Sequence, residues 1–599
     1  MRLMLRLFGI GCVMAGVLVL GAGLFWFYDY RSTLVAPRDA RVPALSDRAY
    51  VHAGANGALV VEATGFHDAI RSLGFAHALN HAWTMAIWRQ AATGQLSRWL
   101  GGPALSADRL TRQLGLADLA RTAANGLSVE DRRFLDAYTK GVNAVWPLAI
   151  SKDEFLILGV EPAAWEPWHV LSIERLLAWL SEPALTSCLP DSDLCLGDQA
   201  LRRILHLHGF EYSVAWQRTG GNRSVLYQRH VTGAYARPVY QEITLRIAGW
   251  QPIRGASIIG TPFFPAAFSD SSAWALLLSS PRILGAAVDA DLQSARITTA
   301  DANEHLTTFR RAQGRLSIGR SGRALIWSGL LPDTDIGAWR ALLQRRPASF
   351  TLLRGDGIHA DARQQITVSG QPLVQHQHEQ GVLIGNSADA EAVAAFIDSR
   401  IDSIPQIEIW TRDLQSRWSA TALSSRLRTV EPAPSIATAL NYLENWDYEY
   451  QSYSIGATIF SEWMRSHSPD TAEALTMAIT RLTHRLGPDQ SQWRWDRLHT
   501  ERRYFVLPQS LQVDHFAPLT WPGRGHSTTL IWGGENVDGE PVPPASWEMW
   551  MDLMPSAPVY VRRRQIDLSV PLGRSIAEAA TPIIIGLPTA TRRSTILHP

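Results

Sequence analysis

Between Leu73 and Gly102 apolar residues recur at helical spacing on more than one face. Phe75, Leu79, Trp83, Ala86 and Ile87 are interleaved with Asn80, His81, Thr84, Arg89 and Gln90. A helix of this kind is buried on two sides, so it needs a layer above and a layer below it and demands a large core. The chain has the material for one: 599 residues, 46% hydrophobic and 19% charged, a folded globular composition. A net charge of +1 favours neither nucleic acid nor a strongly acidic partner. The 23 tryptophans suit large apolar pockets and the packing of a large core alike.

The N-terminus carries a different signal. Arg2 and Arg6 precede an uncharged run from Leu7 to Tyr28, long enough at about 1.5 Å per residue to cross a hydrocarbon core of about 30 Å. Phe25, Trp26, Phe27 and Tyr28 fit an aromatic belt at its outer end, and no small-x-small cleavage site follows. A retained signal anchor is therefore expected, with residues 7–28 in the lipid bilayer of the inner membrane and the body on the periplasmic side. Arg31, Arg38 and Arg41 beyond the run weaken that charge asymmetry. Of the three cysteines, Cys12 lies in the run, while Cys188 and Cys195 bracket a short polar loop. Bonded in an oxidising compartment, that pair closes a loop worth roughly 2–3 kcal/mol; two unrelated thiols is the other reading.

The order of residues adds to their periodicity. Gly74-Phe75-Ala76-His77-Ala78, Trp83-Thr84-Met85, Arg89, Gly94-Gln95-Leu96-Ser97, Leu100-Gly101, Asp108-Arg109 and Leu114-Gly115 follow one another. This succession closely resembles the first block of the penicillin acylase family, N-terminal-nucleophile hydrolases that cut linear amides. Ser128, Glu130 and Asp131 predict a capped helix start, and the helix with Phe134, Leu135, Tyr138 and Gly141-Val142-Asn143-Ala144 resembles a second block. Phe155, Leu158-Gly159 and Pro162 to Pro167 resemble the turn into the last helix of the family's α chain, here Ser172–Ser181. Beyond about residue 210, SVAW, SVLYQRHV, VYQEITLRI and SAWALLL read as strands of an antiparallel double sheet. Helices return from residue 394, where Gln415, Ser419 and Ala422, then Trp446-Asp447, Ser454, Ala457, Phe460 and Trp463, stand at family-like places.

The resemblance implies an α+β fold, an αββα sandwich of the N-terminal-nucleophile hydrolase type, preceded by one N-terminal transmembrane helix. It divides the chain into a stub and signal anchor (1–29), a tether (30–50), an α-chain-like helical region (51–185) and a spacer-like loop (186–208). A β-chain-like region (209–599) follows, with antiparallel sheets and a helical insertion at about 394–500. Such enzymes cleave their own chain before a Ser in Gly-Ser-Asn-x-Trp. The freed Ser then supplies both the nucleophilic hydroxyl and, through its α-amine, the base, while a backbone N–H and an Asn hold the oxyanion.

Two registers compete for that Ser. In the shorter one, Ser271 stands three residues before Trp274, preceded by Asp270 instead of Gly. In the longer one, Ser213 to His230 resemble the first two β-chain strands, Tyr240 to Leu245 the next, and Gly255 to Pro262 and Ser269 to Trp274 those after it. The longer register accounts for the whole stretch from Ser213 to Trp274, the shorter for Ser271–Trp274 alone, and the longer is preferred. It makes Ser271 a turn residue and puts Gly209, within one residue, at the nucleophile position. Glycine has no hydroxyl, and losing such a nucleophile typically costs on the order of 10⁶ in rate.

Other site residues follow from the same resemblance. Asn386, after Val382-Leu383-Ile384, resembles the oxyanion-stabilising Asn, and Arg400 an Arg that orients it; Asn386 also suits an ordinary turn. His230 resembles a His that some acylases place near the nucleophile, or is a structural residue at a strand end. Asp289 and Asp291 imitate part of the family's calcium site, but only Glu182 is near the place of the helical Glu, so no metal and no cofactor is expected. The expected function is that of a membrane-anchored, penicillin-acylase-like protein of the linear-amide hydrolases, weakly active or inactive, whose partner is an acylated small molecule. The alternatives are an active amidase using Ser271 and a non-catalytic relative that binds a ligand or partner. No Gly-x-Ser-x-Gly elbow supports an ordinary Ser-His-Asp hydrolase.

Overall fold

The computed structural model describes residues 14, 16–21, 39–54, 58–150, 153–181, 185, 193–207, 211–217, 224–230, 238–269, 272–275, 283–312, 314–318, 322–332, 334, 336–344, 352–354, 357–359, 374–378, 381–385, 416–466, 468, 470–508, 518–526, 547–552, 559–563, 583–585 and 591–599. Three short strands, β1 (Asp39–Arg41), β2 (Ala49–Gly54) and β3 (Leu59–Ala63), lead into α1 (Phe66–Thr93). In β3 the side chains of Leu59, Val61 and Ala63 are buried while those of Val60 and Glu62 are half-buried, the alternation a strand imposes.

The two-sided burial expected of α1 is observed: only His67, Leu79, Asn80 and His81 are not buried. One side meets β2 and β3, the other α4 (Val129–Ala149). A Cβ on Gly74 would run into the carbonyl of Tyr138, and one on Gly141 into the carbonyl of Arg71. These reciprocal glycines let α1 and α4 pack backbone to backbone. α1 stops at Gly94, left-handed at φ 63°, whose N–H bonds the Ala91 carbonyl at 3.2 Å while Gln95 N–H reaches the Gln90 carbonyl at 2.9 Å. α4 starts as predicted, with Ser128 Oγ accepting from the Asp131 N–H at 3.2 Å.

Among the described residues most strands lie in two large sheets, with one four-stranded and two two-stranded sheets besides. The ten-stranded one adds β6 (Tyr240–Ile247), β7 (Ile253–Ile258), β8 (Ala266–Ser269), β9 (Ser272–Ala275), β10 (Leu352–Arg354), β11 (Gly357–His359) and β17 (Thr591–His598) to the first three, in the order β1-β17-β2-β3-β6-β7-β8-β9-β10-β11. The seven-stranded one runs β12 (Val374–His378), β13 (Gly381–Gly385), β4 (Glu211–Gln217), β5 (Ser224–His230), β14 (Trp547–Asp552), β15 (Val559–Arg563), β16 (Ile583–Ile585). The four strands read from sequence are all present. The antiparallel expectation holds for the seven-stranded sheet and fails in part for the other, where β3–β6 and β1–β17 pair in parallel. The helices between β3 and β6 supply the long crossover that a parallel pair needs.

That crossover includes α2 (Leu105–Leu114), α3 (Leu116–Asn125), α5 (Pro167–Ser181) and α6 (Asp193–Leu205). The expected loop over 186–208 is thus corrected in its second half, which is a helix. Leu194, Leu201 and Leu205 recur at helical spacing and are buried, and Gly197 lies tight against Leu110 and the carbonyl of Ser106. Further along, α7 (Arg417–Leu427), α8 (Ala437–Glu444), α9 (Ile455–Met464), α10 (Thr471–Leu486) and α11 (Trp495–Leu498) enclose a second core around Leu423, Phe460, Trp463, Trp493 and Trp495. No helix among the described residues is long and apolar enough to cross a membrane. Of the expected span, Met14 and residues 16–21 are described, helical and exposed; the rest lies outside the described residues.

Candidate functional site

The sequence points to the start of β4, and the strand register says what else reaches that end of the seven-stranded sheet. Glu211, the first residue of β4, pairs with His230, the last of β5. His230 pairs in turn with Trp547, the first residue of β14. On the other side β13 runs antiparallel to β4 with Ile384 opposite Ala215, so that its final residue, Gly385, lies toward the β4 start. In chain order His230 closes β5, Asn386 follows β13 directly, and Gly209 precedes β4 by two residues. Gly209, Asn386 and Arg400 themselves lie outside the described residues.

The strands on either side of Ser271 belong to the ten-stranded sheet. β8 and β9 pair antiparallel with Ser269 opposite Ser272; the chain link 270–271 between them lies outside the described residues. Next to the link Trp274 is fully buried, with its indole N–H donating to the Phe264 carbonyl at 2.8 Å. The two sheets meet where β11 lies against β4.

The chain entering β4 has a further property. From Leu196 to Tyr212 the sequence contains no serine, threonine or cysteine. Of the flanking candidates, Cys195 sits in α6 and is disulfide-bonded, and Ser213 is the third residue of β4, opposite Gln228. The bond meets the expectation for Cys195, while Cys188 lies outside the described residues. α6 is moreover tied into the core. Buried Asp198 accepts from Trp179 Nε1 at 2.7 Å, from the Leu185 N–H at 2.8 Å and from Arg202 Nε at 3.1 Å, and Arg202 donates to the carbonyls of Leu180 and Trp179. Every charge in this pair is matched, which a buried pair requires.

Sequence reasoning missed a buried polar chain that positions the ten-stranded sheet under α1. His77 Nδ1 bonds Tyr138 Oη at 2.8 Å and its Nε2 bonds Ser257 Oγ at 2.9 Å. Ser257 Oγ donates to the Gln241 carbonyl at 3.2 Å, and Gln241 Oε1 meets His81 Nε2 at 2.7 Å. α1 leaves helical geometry at His81 (φ −133°, ψ 26°). Burial, helped by His81, pushes the His77 pKa well down, and burial pushes the Tyr138 phenol well up, so both stay neutral. His77 was visible within the Gly-Phe-Ala-His-Ala run; its partners Ser257 and Gln241, far along the chain, were not. Nearby, Arg89 donates to the Ala163 carbonyl at 2.8 Å and lies over the rings of Trp146 and Trp165. Its pKa is lowered to about 10 by burial, against the pull of Glu166.

Asp289 and Asp291 are exposed. Among the described residues no cluster of three or more His, Cys, Asp or Glu stands ready for a metal; Glu182 lies outside them.

A family model described as penicillin amidase matches residues 48–284 and 397–561. Penicillin acylase 2 proenzyme of Pseudomonas sp. (strain SE83) is 38% identical over 143 residues, covering 23% of this chain and 18% of that protein. The acyl-homoserine lactone acylase QuiP of Pseudomonas fluorescens (strain Pf0-1) is 25% identical over 319 residues, covering 45% of this chain and 39% of that protein. The alignments thus span well under half the length of these relatives. A solved structure, thermostable penicillin G acylase from Alcaligenes faecalis, superposes with a TM-score of 0.37 at 11% identity over 59% of this chain and 90% of that one, too loose to add to the assignment. On the extent of the family match, which takes in both α1 and the strands around β4, this chain belongs to the penicillin amidase family.

Proposed function

We propose that this protein is a membrane-tethered, penicillin-acylase-like amidase scaffold in which Gly209 stands at the nucleophile position. Hydrolysis of linear amides is then weak or absent, while the αββα sandwich keeps a cleft for an acylated small molecule. The observation that carries this reading is the stretch from Leu196 to Tyr212, which offers no serine, threonine or cysteine as a nucleophile presented from the start of β4. Without one, neither the shift of the preceding peptide bond nor an acyl-enzyme forms. The docking of α6 supports an uncleaved chain, since excising a spacer here would unpair Asp198 and Arg202 from Trp179 and Leu180. Asn386 remains the residue assigned to the oxyanion, and His230 the neighbouring base or positioning residue. The substrate class rests on relatives named for penicillin and for acyl-homoserine lactones, both acylated small molecules. The tether rests on the apolar run 7–28, within which Val17, Leu18, Val19 and Leu20 are exposed on a helix.

The competing reading, an active amidase with Ser271 as N-terminal nucleophile, draws only on Trp274 three residues later. A denaturing gel of the full chain together with an amidase assay on acylated amines separates the two. A single band near 66.3 kDa and a rate unaltered by Ser271→Ala are expected. Two chains split near residue 209 or 271, or a rate abolished by Ser271→Ala, would overturn the reading.

A further inference from the structure

The helical segment from Ser416 to His526 contains polar atoms that its own fold leaves unsatisfied. Trp495 Nε1 and His499 Nδ1 are buried without a hydrogen-bond partner, although their rings stack at 3.6 Å and Trp495 is fully buried. Orphaned buried donors cost about 1–3 kcal/mol each unless something outside the chain satisfies them. His526 completes the wall, stacked on Tyr450 at 4.6 Å and edge-on to Trp495 at 6.1 Å.

The charge around this cluster is unbalanced in one direction. Buried Glu462 is the single carboxylate for three arginines. Arg481 takes its Oε1 at 2.6 Å and its carbonyl at 3.0 Å. Arg465 and Arg485 are left with long contacts of 3.8 and 3.7 Å to the other oxygen, and both guanidinium side chains are about half exposed. They sit beside the rings: Arg465 directly follows α9, which packs against both α11 and α10, the helix that carries Arg485. Burial and then Arg465, His526 and Arg485 hold His499 down at about 3, and burial and then Arg465 hold His526 at about 4. The other acid beside the cluster, Asp496, gives its Oδ2 to Arg494 at 2.6 Å.

We propose that Trp495, His499, Arg465 and Arg485 form a binding site for a small oxyanion of the phosphate class. Neutral indole and imidazole N–H groups and two underused guanidinium groups are donors suited to an anion. Asp496 Oδ1, also buried and unpartnered, is an acceptor and selects an oxyanion that keeps a proton, as inorganic phosphate does near neutral pH and a carboxylate does not. The site lies on the second core and is independent of the amidase reading.

The test is calorimetric titration of the full chain, in detergent and at fixed ionic strength, with inorganic phosphate and, separately, with acetate. One saturable phosphate site is expected, with acetate weaker. The Arg465→Gln/Arg485→Gln pair should weaken phosphate by about tenfold or more through loss of charge-assisted hydrogen bonds. Absence of saturable binding in the unaltered protein, or equal affinity in the double variant, overturns the proposal and assigns the orphaned atoms to water. Should the double variant not fold, His499→Phe carries the test: phosphate affinity unchanged in that variant overturns the proposal equally.

Discussion

Both cores of this protein leave some buried polar atoms unpaired, Arg71 Nε and Trp165 Nε1 in the first and Trp495 Nε1, Asp496 Oδ1 and His499 Nδ1 in the second, but only the second gathers them within five residues of chain. Under α1, His77 spends both ring nitrogens on Tyr138 and Ser257, and Asp198 spends its carboxylate on Trp179, Leu185 and Arg202. In the helical segment, Trp495, His499 and Asp496 keep buried atoms unpaired. A closed network makes one packing unique and leaves nothing for a ligand to satisfy. An open one gives up stability until a ligand or water fills it. The His77 and Asp198 networks are thus read as scaffold and the Trp495–His499 cluster as a place where something binds.

Several perturbations would break or sharpen this contrast. The largest effect is expected for Gly141→Val, which forces a branched side chain into the carbonyl of Arg71. A loss of about 4 kcal/mol or outright failure to fold is expected, read by denaturant unfolding; a near-neutral result would mean that α1 and α4 are not in backbone contact.

Next comes His77→Leu, which leaves Tyr138 Oη without its ring partner and removes one acceptor or donor from Ser257. About 2–4 kcal/mol is expected from the orphaned pair, again from unfolding. The same histidine sets a pH dependence. Its folded pKa lies below 6.5, so the folded state binds fewer protons than the unfolded chain. Its stabilisation is complete above about pH 6.5 and is lost as pH falls below that value, by about 1.4 kcal/mol per pH unit for each such group. His169, held at about 2 by burial with Arg89 and Arg121, acts in the same sense, as do His499 and His526 in the second core. Asp108, raised to about 6 chiefly by burial, acts oppositely, stabilising progressively as pH falls from about 6 toward 3.8. Melting temperature measured from pH 7.5 down to pH 5 should therefore fall, and His77→Leu should flatten part of that slope. Phosphate, if it satisfies the second core, should raise the curve at every pH in that range.

The smallest effect belongs to the surface. Arg296 reaches Glu304 at 3.8 Å across an exposed hairpin, and Arg296→Ala should change stability by less than about 0.5 kcal/mol. A larger loss would mean that this hairpin is covered in the assembled protein.

Much of the fold was legible in the sequence because its signals are local. The α1 periodicity, the Ser128 cap and the strands from Ser213 to Trp274 all depend on residues within a few positions of one another. Gly74 and Gly141 could be seen as motif residues, yet their reason, a backbone contact between two helices, exists only once the helices cross. The helix at Asp193–Leu205 stands where the family resemblance implies a spacer-like loop, and it is fixed there by contacts distant in sequence, Asp198 with Trp179 and Arg202 with the Leu180 carbonyl. The parallel pairing of β3 with β6 was likewise invisible, since periodicity tells a strand from a helix but not which strand will lie beside it.

For the candidate site the division is similar. Sequence alone determined that no serine, threonine or cysteine lies between Cys195 and Ser213, because the presence of an atom needs no geometry. It also determined the chain's likeness to a family of amidases, because the order of short motifs survives without coordinates. Only the tertiary structure decided that the ends of β4, β5 and β13 share one sheet edge while β8 and β9, the strands before and after Ser271, pair in the other sheet. Only it revealed which buried polar atoms are satisfied. Strand pairing and hydrogen-bond closure join residues up to hundreds of positions apart, and such partners are selected by packing the whole chain at once.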